Sequence, residues 1–215
     1  MMNAMGYGPG IGMAVVVALC GFLSGSLMFS YLLGRLAKKR ITEVGDGNPG
    51  AINLWKSSGF KLGLAGIALD FLKGFLPVLW AVSMLDGNAL IGAALAPILG
   101  HAFSPFLRGK GGKAIAVTFG VWSALTRFEA ALAYAVMMAI LLFVVRTWSK
   151  GKLARTAADG LQVLAGMLML GCYLVLRGFP PAILWIWAGN LAVLGYKHRA
   201  ELAAMKRLMA RESGR

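Results

Sequence analysis

Charge, cysteine and histidine are all scarce in this chain. Charged residues fill 14% of its 215 positions, against about 25% in ordinary soluble domains, and only eight are acidic. The two cysteines, Cys20 and Cys172, lie inside apolar runs. Neither their spacing nor their setting suggests a disulfide or a metal site, and inert buried thiols are the expectation. No Gly-x-Ser-x-Gly elbow, His-Glu-x-x-His or clustered Cys/His pattern occurs, which removes the usual hydrolase and zinc-enzyme signatures. Neither His101 nor His198 is followed by an aspartate five positions on, which argues against an acyltransferase built on a His-x4-Asp pair. A soluble second domain, a repeat and a low-complexity tract are also missing. So is the basic residue ahead of the first apolar block that a cleaved signal peptide would carry.

What is abundant is apolar sequence, 59% of the chain, in blocks long enough for a bilayer, which takes roughly 20 residues per helix. The blocks run over residues 11–33, 62–85, 89–107, 114–126, 128–145, 160–176 and 179–196. They predict an all-α, polytopic membrane protein with about seven transmembrane helices; six and eight stay open because the block at 114–126 is short. Threading the chain through these crossings puts every basic residue on one side except Arg127, Arg177 and Lys73. The positive-inside rule then predicts an outside N-terminus and a cytoplasmic C-terminus. The net charge of +14 is therefore read as topology and affinity for anionic headgroups, not for nucleic acid. Residues 1–198 form one transmembrane domain in this reading. Residues 199–215 form a basic amphipathic tail on the cytoplasmic leaflet, with Leu202, Met205, Leu208 and Met209 as its apolar positions.

Two glycine-rich loops near 43–61 and 108–114 carry the chemical signal. Gly45-Asp46-Gly47-Asn48-Pro49-Gly50-Ala51-Ile52-Asn53 and Lys110-Gly111-Gly112-Lys113 fall on the same basic face. Glycine permits positive φ and close backbone approach, so consecutive N–H groups can cradle an anion. Two such loops point to phosphate chemistry at the bilayer surface. Asp70 and Lys73, three residues apart in an apolar block with Pro77 one turn later, are costly in lipid. They read either as a structural ion pair or as the lining of a polar cavity. Ser26, in the pair Gly25-Ser26, reads as a helix-packing residue unless context says otherwise.

In order, these pieces resemble the PlsY-type acyl-phosphate:glycerol-3-phosphate acyltransferases. The residues at 45–53 resemble the family's GSGNxGATN loop, Leu69-Asp70-x-x-Lys73-Gly74 its LDxxKG segment, and Gly100-His101 with Lys110–Lys113 its GH…KGGKG motif. Ser149 falls where the family has a serine in its third cytoplasmic loop, and His198-Arg199 resembles the start of its HRxNIxRLL tail. The resemblance implies acyl transfer from acyl phosphate to the 1-hydroxyl of glycerol 3-phosphate at the cytoplasmic face of a bacterial plasma membrane. It implies no metal or other cofactor, and it leaves a monomer sufficient. Gly45, Gly47, Asn48, Gly50 and Asn53 would form one phosphate-binding turn, and Lys110, Gly111, Gly112 and Lys113 the other. Lys113 would neutralise developing charge, with Ser26, Ser149, His101 and His198 orienting substrates; His198 or the substrate phosphate would act as base.

The chain departs from that pattern at several motif positions. Asp46 stands where the family has serine, Ile52 where it has threonine, Ala114 where it has glycine, and Glu201 where it has asparagine. Pro105 is shifted by one position, and Ile41-Thr42-Glu43 replaces a triplet that carries an arginine, a role left to Arg35 or its basic neighbours. A carboxylate at Asp46 should repel phosphate unless it points away or pairs with a lysine. These departures keep two alternatives open: a paralogue using another phosphorylated acceptor, and a lipid transporter or regulator without chemistry.

Overall fold

The computed structural model describes residues 10–148 and 155–213. Among them the chain is helical throughout, with no strand. Helices α1 (Ile11–Ser26) and α2 (Phe29–Leu36) come from one apolar block, followed by α3 (Ala51–Ser58) and α4 (Phe60–Met84). Then come α5 (Ala89–Ala102), α6 (Ile115–Thr126), α7 (Glu129–Trp148), α8 (Arg155–Leu176), α9 (Pro181–Lys197) and α10 (Arg199–Ser213). Five stretches among the described residues are long and apolar enough to cross a membrane: Ile11–Leu36, Phe60–Met84, Ala89–Leu107, Glu129–Thr147 and Asp159–Leu176. The expected seven adds α6 and α9, which at 12 and 17 residues fall short of a full span.

The helices approach closely at glycines, as small residues allow where lipid leaves no hydrophobic force between helices. A Cβ on Gly25 of α1 would overlap the backbone of Pro97 in α5, and one on Gly100 would overlap the carbonyl of Phe22. The same interlock joins α4 to α6, where Gly74 meets Val117 and Gly120 meets Phe71. Polar side chains add fixed points. Trp122 donates to Asn190 (2.9 Å), which donates to Thr118 (3.1 Å), tying α6 to α9 in the core.

The first apolar block is not one helix. It breaks at Leu27–Met28, where Leu27 turns extended (φ −66°, ψ 112°). The carbonyls freed there are taken up: Ser104 Oγ donates to Ser26 O (2.7 Å) and Lys73 Nζ to Leu27 O (2.5 Å). Lys73 also pairs with Asp70 Oδ1 at 2.8 Å, and Ser30 Oγ donates to Asp70 Oδ2 at 2.6 Å. In the fold the intramembrane ion pair braces the broken helix. Pro77 stays within α4. Having no N–H, it leaves the Lys73 carbonyl without its helical partner, and Ser24 Oγ fills that place at 3.0 Å.

The cysteines correct the expectation of burial. Both Cys20 and Cys172 are exposed, on the outer faces of α1 and α8. In a protein surrounded by hydrocarbon an apolar segment can face outward, so apolar surroundings in sequence do not imply burial.

Candidate active site

The loop at 44–50 is built around one carboxylate. Gly45 (φ 63°) and Gly47 (φ 74°) occupy the left-handed region, as that loop requires. Between them, Asp46 Oδ1 accepts from the Asn48 N–H (3.1 Å) and from Asn53 Nδ2 (2.9 Å). Asn53 Nδ2 also reaches the Asn48 carbonyl at 2.9 Å, fastening the loop to the start of α3. Asp46 thus makes an Asx-type turn, a local bond that competes with regular structure. Its other oxygen leaves the loop and meets Lys113 Nζ at 2.5 Å.

The second loop uses glycine for a different reason. Gly111 and Gly112 do not need positive φ; they lie flat against the end of α5. A Cβ on Gly111 would overlap the His101 carbonyl, and one on Gly112 the His101 ring. The Gly112 N–H donates to His101 O at 3.0 Å. From the far side Lys197, at the end of α9, donates to Ala102 O and Gly111 O, each at 2.9 Å. The loop is pinned on both faces, which fixes where Lys113 emerges.

Lys113 meets two carboxylates, Asp46 and Glu201 of the first turn of α10. Burial pulls the ammonium down, but the two carboxylates outweigh it and hold Lys113 above the ordinary lysine range. Burial pushes Asp46 up, and Lys113 with the Asn48 and Asn53 donors prevails, holding it below the usual carboxylate range. His198 lies behind this trio, 1% exposed, with Nδ1 3.9 Å from Glu201 Oε2. Burial first, with Lys113 and Lys197 adding to it, depresses the imidazole to about 4 against the pull of Glu201 and Asp46. It is neutral near pH 7, and neither ring nitrogen has a hydrogen-bond partner.

These elements enclose a cavity of about 600 Å³. The first loop contributes Asp46, Gly47 and Asn48, and the second Lys110, Gly111 and Lys113. Its other wall is Phe103, Tyr196, Lys197, Arg199 and Glu201. Lysines and an arginine around an opening with two aromatic faces can take a phosphate-bearing headgroup beside an apolar chain.

The sequence expectations divide accordingly. Gly47, Asn48, Lys110, Gly111 and Lys113 line the cavity; Gly45, Gly50, Asn53, Gly112 and His101 shape its walls without lining it. Ser26 is fully buried and donates to Phe22 O of its own helix at 2.7 Å, outside the cavity lining. Arg35 is exposed on α2 and also outside that lining. His198 is close but screened by its neighbours, and Ser149 lies outside the described residues. Asp46 does not confront the cavity as a free charge; it pairs with a lysine, the condition under which its repulsion of phosphate is relieved. Sequence reasoning missed Lys197, Phe103 and Tyr196 as parts of the site. Lys197 follows an apolar block directly, and a cation there reads as topology.

Comparison with known proteins identifies the family. The family model for glycerol-3-phosphate acyltransferases matches residues 15–210. Glycerol-3-phosphate acyltransferase 1 of Thermotoga maritima is 38% identical over 187 residues, 84% of this chain and 92% of its own length. The glycerol-3-phosphate acyltransferase of Aquifex aeolicus is 31% identical over 191 residues, 88% and 93% of the two chains. Two crystal structures of the integral membrane enzyme PlsY (YgiH) superpose with TM-scores of 0.77 for its glycerol 3-phosphate form and 0.75 for its lysophosphatidic acid form. They are 29% and 28% identical, and each alignment covers 92% of both chains. The helical membrane fold, the ordered motifs and the paired glycine loops around one cavity converge on a single conclusion: this chain belongs to the glycerol-3-phosphate acyltransferase family.

Proposed function

We propose that the protein transfers a fatty acyl group from acyl phosphate to the 1-hydroxyl of glycerol 3-phosphate, releasing lysophosphatidic acid and inorganic phosphate. The observation that carries this reading is the convergence of both glycine loops on one cavity ringed by Lys110, Lys113, Lys197 and Arg199. The donor is a mixed anhydride and already activated, so placing the acceptor oxygen against the acyl carbon supplies much of the acceleration. The new ester bond forms as the acyl–phosphate bond breaks, and the hydroxyl proton leaves with the phosphate or to a nearby base. Lys113 and Lys110 stabilise the charge that gathers on the carbonyl oxygen and the departing phosphate. Phe103 and Tyr196 flank the point where an acyl chain would enter from between the helices. No metal or other cofactor enters this account.

The same reading places the site at the cytoplasmic face of a bacterial plasma membrane. α6 and α9 complete seven crossings, with the N-terminus outside and the C-terminal helix within. The soluble acceptor reaches the basic cavity from the cytoplasm, anionic headgroups border it, and one chain suffices.

The test supplies purified protein with palmitoyl phosphate and glycerol 3-phosphate and follows phosphate release and lysophosphatidic acid together. Matched appearance of both is expected, with Lys113→Met lowering the rate by about 10²–10³-fold, the scale for loss of one stabilising group. Phosphate release without the lipid product would replace the reading with hydrolysis or another acceptor. Near-normal turnover in Lys113→Met would remove that lysine from the chemistry.

A further inference from the structure

Two of the residues that depart from the family pattern, Asp46 and Glu201, meet in space on one atom, Lys113 Nζ. Asp46 retains turn donors at its other oxygen, but Glu201 has less to fall back on. Its Oε1 faces Lys113, while Oε2 is buried with no hydrogen-bond partner. The Glu201 side chain is 8% exposed, and its base packs so closely on Gly160 of α8 that a Cβ there would overlap the Glu201 Cβ. His198 Nδ1 lies 3.9 Å from that idle oxygen, and both nitrogens of its ring are also buried and unpartnered. Three orphaned polar atoms thus stand together beside an ion pair. Buried atoms of this kind ordinarily find partners.

We propose that Glu201 is a transferable counter-charge: when substrate phosphate takes Lys113, Glu201 passes to His198, which binds a proton from solvent. The proposal rests on the reading of the cavity as a phosphate site. A phosphate oxygen competes for the same ammonium that the carboxylates hold, and a buried carboxylate stripped of its cation is strongly disfavoured. The nearest replacement is the imidazole one turn away. Its proton affinity rises on both counts, because Lys113 is neutralised by the ligand and Glu201 is released toward it. The other charges that face this pair are Asp46 and Lys113 from the loops and Lys197 from α9. Asp159 of α8 faces Lys113, Asp46 and Glu201, and Lys56 on α3 faces Asp159. Of these, Lys113 is the one whose Glu201 partner the phosphate displaces. The protonated imidazole is then a hydrogen-bond donor to Glu201 behind the cavity wall.

The test is titration calorimetry of the full chain in micelles with glycerol 3-phosphate, and separately with inorganic phosphate. Each is run in two buffers of different ionisation enthalpy, between about pH 7 and pH 8.5. The ester is then mostly dianionic, its second pKa being about 6. The expected result is net proton uptake on binding, with affinity falling by up to about tenfold per pH unit as pH rises. Glu201→Gln and His198→Gln should each still bind phosphate but lose the uptake and the pH slope. Wild-type binding without proton uptake, or unchanged uptake in both variants, would overturn the proposal. Acyl transfer with no uptake would break this inference and leave the function standing. Uptake with no acyl product would do the reverse, and failure of both ligands to bind would defeat both.

Discussion

Two lysines in this protein each face carboxylate partners in the fold, and they do opposite work. Lys73 is 1% exposed, holds Asp70, and spends a further proton on the Leu27 carbonyl. Asp70 in turn is bound by Ser30. Every partner there belongs to the scaffold, and both side chains are closed off from the surface. Lys113 is 19% exposed, is held by side chains from two different elements, and lines an open cavity. An ion pair closed on all sides repairs a broken helix, whereas one with an open side can exchange its partner. Accessibility of the cation, not the strength of the pairing, separates strut from site.

Exchanging the lysines for methionine is the sharpest way to break this comparison. Lys113→Met should lower acyl transfer by about 10²–10³-fold. It also strips Glu201 of its cation, but the open cavity admits water to the site, so its unfolding temperature should fall less than that of the Lys73→Met variant. Lys73→Met strands Asp70 in the membrane interior, and removal of one partner from a buried pair costs about 3–5 kcal/mol. Its first consequence should be loss of fold, read as a lowered unfolding temperature and poor recovery from membranes. Adding Asp70→Asn to Lys73→Met should restore part of that stability. A Lys73→Met protein as stable as wild type would mean that the strut carries no weight.

A smaller effect separates the two regions by pH. His198 stays neutral in the fold down to about 4, while an unfolded imidazole takes a proton below about 6.5. Between those values the unfolded chain binds more protons. Stability should therefore fall as pH drops through that window, level off below it, and owe nothing to His198 above it. Thermal unfolding of wild type and His198→Gln across this range isolates the contribution, because the variant should lose that part of the slope.

Much of this organisation could be read from residue order, though not all for the stated reasons. The apolar blocks place the helices, because a bilayer demands length and low charge, which a sequence displays directly. The break at Leu27–Met28 was not legible, since the groups that permit it, Lys73 and Ser104, come from distant parts of the chain. The glycine loops announce a site, yet Gly111 and Gly112 are required by contact with His101 and not by backbone angle. Asp46 looks like an intruder in sequence. Only in space does it become the turn-former of its loop and a partner of Lys113. Glu201, some ninety residues further along, gives no sign that it shares that lysine. A pairing across such a separation has no local signature.

The smallest prediction concerns a strained point next to the site. Ala114 sits in the left-handed region (φ 62°) directly after Lys113, a conformation that costs a side-chain-bearing residue roughly 1–2 kcal/mol. Ala114→Gly should relieve part of this and raise the unfolding temperature by about 2–4 °C per kcal/mol recovered, the scaling for a chain of this size. A fall instead would show that the buried Cβ matters more than the angle.

The brevity of α6 has a consequence for where reactants meet. α4 and α6 cross at Gly74 and Gly120, fourteen residues into α4 but only five into α6. At about 1.5 Å per residue, some 21 Å of α4 but only about 7 Å of α6 precede the crossing. If α4 begins at the water boundary, the loop that carries Lys113 starts α6 well beneath it. On the proposed function, a greasy donor then need not lift its reactive carbon into water; it would slide in sideways, and the small soluble acceptor would make the vertical journey. The short helix would turn a meeting at a surface into a meeting at the bottom of a well.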